Sequence, residues 1–249
     1  MKEAFLLILL FCGVYIVIDK LLFFVTNDSF RTLLVYACMF FFFLWFIKKK
    51  LKDKDIDKKQ VQLGKIRWGF FSFLCIGTIL CKFVPIDISL LDIHFEKILV
   101  YNTKEDYYLD IISYCLFAPF LEEFVIRGLV LAQLLRRYSP IIAILLSALI
   151  FGIMHPGWVA PTFLFGILSG IIYYYTSNLT YSILLHSFAN LISQLLKLYL
   201  NNNVTNISKI EVIFRSNMFY MMYIIIAIGF VYFAYRIFSR QKPVFAKDD

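Results

Sequence analysis

Leu121-Glu122-Glu123-Phe124-Val125-Ile126-Arg127 lies inside an apolar run of about 108–135. A helix needs about 20 mostly apolar residues to cross a bilayer, and this run supplies them. A charge at the centre of such a helix costs roughly 2.5–3.5 kcal/mol on insertion scales. Two carboxylates and a guanidinium in one short stretch of a membrane helix therefore point to a functional site.

Seven further runs of similar character flank this one, giving candidate spans at about 4–25, 30–47, 68–85, 108–135, 139–155, 158–176, 180–198 and 217–238. The chain of 249 residues is 61% hydrophobic and only 17% charged, whereas a soluble domain carries nearer about 25% charged residues. The expected fold is all-α: a polytopic membrane bundle of about eight transmembrane helices enclosing an intramembrane polar cavity. It forms one integral membrane domain over 1–249, with a motif-bearing core at about 108–198. The net charge of +8 does not imply nucleic acid, because the basic residues fall between apolar runs and no nucleic-acid module is present.

Met1-Lys2-Glu3 and the apolar stretch behind it lack a small-x-small cleavage site, which reads as a retained first helix. Asp19 and Lys20 near its end read as an interfacial pair with snorkelling stems. The connection holding Lys48, Lys49, Lys50, Lys52, Lys54, Lys58, Lys59, Lys65 and Arg67 is strongly basic, and the positive-inside rule makes it cytoplasmic. The next carries Asp87, Asp92, Glu96, Glu105, Asp106 and Asp110 and is expected outside. Arg136 and Arg137 return inside, as do Arg236, Arg240, Lys242 and Lys247. Both termini are thus expected in the cytoplasm. Cys12, Cys38, Cys75, Cys81 and Cys115 show neither disulfide nor zinc spacing.

The polar residues within the spans form a pattern. Glu123 and Arg127 are four apart and share a helix face, while Glu122 points about 100° away. The chain has three histidines. His94 reads as a solvated loop residue. His155 follows Phe151 by four, and His186 precedes Asn190 by four. A carboxylate and an imidazole sharing one water can make it a nucleophile, and a second His with an Asn one turn away offers donors to an oxyanion. That set suits peptide-bond hydrolysis. Signatures of serine, aspartyl and zincin chemistry are missing.

Glu122-Glu123-x-x-x-Arg127, Phe151-x-x-x-His155 and His186-x-x-x-Asn190, in this order on three spans, resemble the CPBP (Abi) family, which groups CAAX prenyl endopeptidases with bacteriocin-processing and bacteriocin-immunity proteins. The resemblance covers about 120–190. It implies an eight-helix intramembrane protease of a bacterial cell membrane. In it Glu122 and His155 activate water, His186 and Asn190 stabilise the oxyanion, and Glu123 and Arg127 support the site. The expected partner is a membrane-associated peptide or lipidated protein substrate. No cofactor is required on this reading. The alternative is zinc or another divalent metal held by Glu122, His155 and His186, a plausible set with one open position.

Two other functions stay open at this point: a non-catalytic immunity or partner-binding membrane protein, and a small ion-coupled transporter using Glu122 and Glu123. A depth estimate sets a condition on the protease. At 1.5 Å per residue, straight helices would spread Glu122, His155 and His186 over about 15 Å. Either spans five and six meet in a turn sunk within the membrane, or span four is broken, with Pro119, Pro156 and Pro161 as candidate breakers. A Glu122 to His155 separation above about 10 Å would rule out a shared water.

Overall fold

The computed structural model describes residues 2–52, 61–84, 104–155, 159–202 and 216–245. His94, Pro156, the basic stretch 53–60 and most of the acidic connection lie outside them. Among the described residues the regular structure is entirely helical. We number eight runs: α1 (Lys2–Leu21), α2 (Asp28–Lys52), α3 (Trp68–Lys82), α4 (104–137), α5 (Pro140–Ile153), α6 (Val159–Thr176), α7 (Leu179–Asn202) and α8 (Asn217–Phe238).

Eight runs fall where eight spans were expected, but the expectation that each crosses the membrane needs correcting. Among the described residues four helices are long and apolar enough: Asp28–Lys50, Val159–Thr176, Leu179–Tyr199 and Asn217–Phe238. Helices α3 and α5 are apolar but short. The 14 residues of α5 reach only about 21 Å, against a hydrocarbon core of about 30 Å. Helix α4 is long, but its charges and two π-helical stretches, Ser113–Phe117 and Phe124–Leu131, take it out of the regular class.

The short α5 resolves the depth problem. Helix α5 ends at Ile153, and α6 starts beside that end, a Cβ on Gly152 meeting the Val159 carbonyl at 3.1 Å. Helix α4 is continuous through Pro119, so span four is not broken, and the close return of α6 on the short α5 brings the residues together. Helices α5 and α6 pack at close range: a Cβ on Gly166 would lie 2.9 Å from the Ala148 Cα, so only glycine allows this approach.

Neighbouring contacts fix the helix directions. Asn27 Nδ2 donates to Asp106 Oδ1 at 2.8 Å. The rings of Tyr36 and Tyr114 are 6.1 Å apart, and those of Phe40 and Phe117 are 5.4 Å apart. Helices α2 and α4 therefore run parallel. Gly64 N donates to Asn178 Oδ1, and Arg67 N donates to the Tyr181 hydroxyl, which places the starts of α3 and α7 together. Asp19 is paired with Arg31 across α1 and α2 at 3.4 Å. Helix α8 leans on α3, where the Phe230 ring stacks on Phe73 at 4.8 Å and lies over Gly77. Its other face leaves Met221, Ile225, Ile228 and Val231 more than half exposed, as suits a surface that meets lipid rather than water. The five cysteines are free thiols.

Candidate active site

Helices α4, α5, α6 and α7 converge on one buried polar cluster. Glu123 and Arg127 of α4 are fully buried and paired, Arg127 Nε lying 3.1 Å from Glu123 Oε2. The Ser169 hydroxyl of α6 joins them: it accepts from Arg127 Nε at 3.1 Å and donates to Glu123 Oε2 at 2.9 Å. The guanidinium carbon sits 4.6 Å from the centre of the Phe151 ring, a cation–π contact that offsets part of its desolvation. Arg127 Nη1 and Nη2 have no hydrogen-bond partner among the described residues.

The other Glu123 oxygen, Oε1, receives His186 Nδ1 at 3.1 Å. A carboxylate next to Arg127 is an acceptor, so Nδ1 carries the proton and Nε2 of a neutral His186 presents its lone pair. His155 is fixed in the same sense, with Nδ1 donating to the Phe151 carbonyl at 2.8 Å. Both Nε2 atoms face Glu122 Oε2, at 3.4 Å for His155 and 3.9 Å for His186. Oε2 itself has no hydrogen-bond partner among the described residues. These separations are too long for good direct hydrogen bonds and leave one polar point between three groups, suited to a bridging water. Glu122 and His155 thus meet well inside the 10 Å limit set from the sequence.

The three groups form one end of a cavity of about 320 Å³, at the lower edge of ordinary ligand sites. Asn190 is on the same wall, but its Nδ2 donates to the Tyr114 carbonyl at 2.6 Å. The reason lies in α4. The Ala118 N–H bonds Ser113 O, a π-helical step of five residues. The next step would bring residue 119 to Tyr114 O, and residue 119 is a proline with no N–H. Asn190 supplies the missing donor from α7.

The six residues singled out in the sequence therefore gather at one place, with Glu123 and Arg127 behind Glu122, His155 and His186. Sequence reasoning missed Ser169, the Tyr114 carbonyl and Tyr36, which lines the cavity from α2. Ser169 is the hydroxyl in the otherwise apolar Gly166-Ile167-Leu168-Ser169-Gly170. That signal is faint, because a serine in a helix commonly bonds its own backbone.

The metal alternative requires Glu122, His155 and His186 to aim at a common ion. Among the described residues no group of three or more His, Cys, Asp or Glu side chains is placed to hold one. Glu122, His155 and His186 are the side chains that would hold such an ion, and the mechanism below uses the chain's own side chains alone.

Residues 104–192 match the family described as type II CAAX prenyl endopeptidase Rce1-like, and all six motif residues fall inside the match. Over this segment the chain is similar to the CAAX proteases. The matched segment is just over a third of the chain and runs from α4 into α7. No curated protein and no solved structure matches the chain. The match and the long apolar helices together mark an integral membrane protein, and the segment similar to CAAX-type intramembrane proteases carries the buried cluster.

Proposed function

We propose that this chain is a CAAX-type endopeptidase that cleaves a peptide bond in a membrane-associated substrate, a hydrophobic peptide or lipidated tail, with a water held between Glu122 and His155. The observation that carries this reading is the unpartnered Glu122 Oε2, buried at the cavity end with two imidazole Nε2 atoms turned towards it. A buried carboxylate left without a partner is costly, and a site that gives it a water to deprotonate turns that cost to use.

Glu122 takes the proton as the water oxygen attacks the substrate carbonyl, and His155 holds the water in line through its lone pair. His186, held through Nδ1 by Glu123, faces the oxyanion, to which its Nε2 donates when the ring carries both protons. Ser169 and Arg127 fix the Glu123 carboxylate that holds the ring. Asn190 keeps α7 in register with α4 and presents its second N–H to the cavity. Collapse of the intermediate breaks the C–N bond, and the proton on Glu122 leaves with the amine.

The test uses purified protein in proteoliposomes with an internally quenched, farnesylated peptide ending in a CAAX sequence. Wild type is expected to turn it over. Glu122→Gln and His155→Ala are each expected to lower kcat by about 10²–10⁴ at unchanged folding, the usual weight of an acid–base group. Chelators are expected to leave the rate unchanged. Loss of activity on chelation, regained with zinc, would replace the water mechanism with a metal one. A biological effect that survives both substitutions would favour the immunity or binding function.

A further inference from the structure

Five hydroxyl-bearing side chains line the catalytic cavity: Tyr36, Thr78, Tyr114, Thr162 and Ser193. Four are engaged. Thr78, Thr162 and Ser193 donate to carbonyls of their own helices, at Leu74, Val159 and Ala189, and Tyr114 is hydrogen-bonded to Thr32. Tyr36 has no hydrogen-bond partner among the described residues. Its ring is clasped edge-on by Tyr15 and Tyr114, each 6.1 Å away. Tyr36 and Glu122 line the same cavity. A phenol held by two aromatic rings, facing the cavity that contains the reacting carboxylate, is a placed donor with nothing to donate to.

The oxyanion needs such a donor. Asn190 commits one N–H to the Tyr114 carbonyl, and His186 donates from Nε2 only when protonated. We propose that Tyr36 is a further catalytic residue, donating its phenolic O–H to the oxyanion formed on the substrate carbonyl. This rests on the protease reading above. As the water oxygen bonds the carbonyl carbon, its proton passes to Glu122 and the C=O π pair moves onto oxygen. The Tyr36 hydroxyl donates to that charge and keeps its proton. When the C=O re-forms, the C–N bond breaks and the Glu122 proton leaves on the amine. Tyr36 is on α2, outside the segment 104–192 that matches the family, so the family match does not select it.

The test compares wild type, Glu122→Gln, Tyr36→Phe and Tyr15→Phe in proteoliposomes with the farnesylated CAAX peptide, and with a farnesylated peptide phosphonate whose tetrahedral oxygens imitate the oxyanion. Removing one oxyanion donor typically lowers kcat by about 10²–10³. Tyr36→Phe is expected to show that loss with KM nearly unchanged, and to lose affinity for the phosphonate by the same factor as kcat/KM. Tyr15→Phe, which removes a hydroxyl beside Tyr36 but outside the cavity wall, is expected to keep the wild-type rate. Unfolding temperatures check that both variants fold. If Glu122→Gln is inactive while Tyr36→Phe keeps wild-type kcat, Tyr36 falls and the protease reading stands. Equal loss of affinity for the peptide and the phosphonate would make Tyr36 a binding residue and overturn the oxyanion role. A wild type that turns over no peptide overturns the protease reading, and the role of Tyr36 with it.

Discussion

At the scale of the residue, Arg127 carries the clearest energetic tension. It is fully buried with two nitrogens unpartnered among the described residues, and its charge is balanced by Glu123, with the Phe151 ring beneath it. Breaking a buried ion pair from one side leaves a stranded charge and costs about 3–5 kcal/mol. Glu123→Ala is therefore expected to destabilise the fold by that order in reversible unfolding from mixed micelles. Adding Arg127→Met removes the stranded charge and is expected to recover most of the loss. Activity should not return in the double variant, because His186 has lost the carboxylate that fixes its ring. Recovery of both would show that the pair matters only for packing. The Glu123–Arg127 pair was legible in the sequence because four residues apart is one helical turn. The Glu123–His186 and Glu123–Ser169 contacts were not, because they cross between helices and no local spacing encodes them.

At the scale of the element, α4 and α7 are joined where a proline removes a donor. The sequence reading took Pro119 as a possible break. The helix instead stays continuous by winding wider over Ser113–Phe117, and Asn190 fills the vacancy at the Tyr114 carbonyl. This account predicts a coupling. Asn190→Ala in wild type leaves that carbonyl without its partner and is expected to cost about 1–3 kcal/mol. In a Pro119→Ala background residue 119 has an N–H to offer, so the same substitution should cost measurably less. A double-mutant cycle by unfolding in micelles reads the difference, and equal costs in the two backgrounds would refute the pairing. The α5–α6 turn was partly legible: the depth estimate demanded either a sunken turn or a break. Choosing between them required the length of α5, which the apolar run did not show because its hydrophobicity continues past the helix end.

At the scale of the whole molecule, eight helical runs were readable because apolar runs and basic connections alternate, yet which helices cross unaided was not. The composition of α3 and α5 is as apolar as that of a full span, and only their length sets them apart. The charge pattern over the described residues also carries the orientation. Lys48, Lys49, Lys50, Lys65, Arg67, Arg136, Arg137, Arg236, Arg240 and Lys242 gather at one end of the bundle, while Asp19, Asp28, Glu105, Asp106 and Asp110 gather at the other. By the positive-inside rule the first end is expected in the cytoplasm. The cavity wall is built from the early half of α4 (Tyr114, Ala118) and the later turns of α3 and α7 (Thr78, Ser193, Gln194), so the cavity lies in the half of the membrane nearer the acidic end. On this expected orientation a substrate is predicted to reach the site from the outer half of the bilayer. Single cysteines on a cysteine-free background test it: Thr26→Cys, between α1 and α2, should react with an impermeant maleimide on intact cells, and Lys65→Cys, between α2 and α3, only after permeabilisation. The reverse labelling would turn the cavity to the cytoplasmic half and change which peptides can reach Glu122.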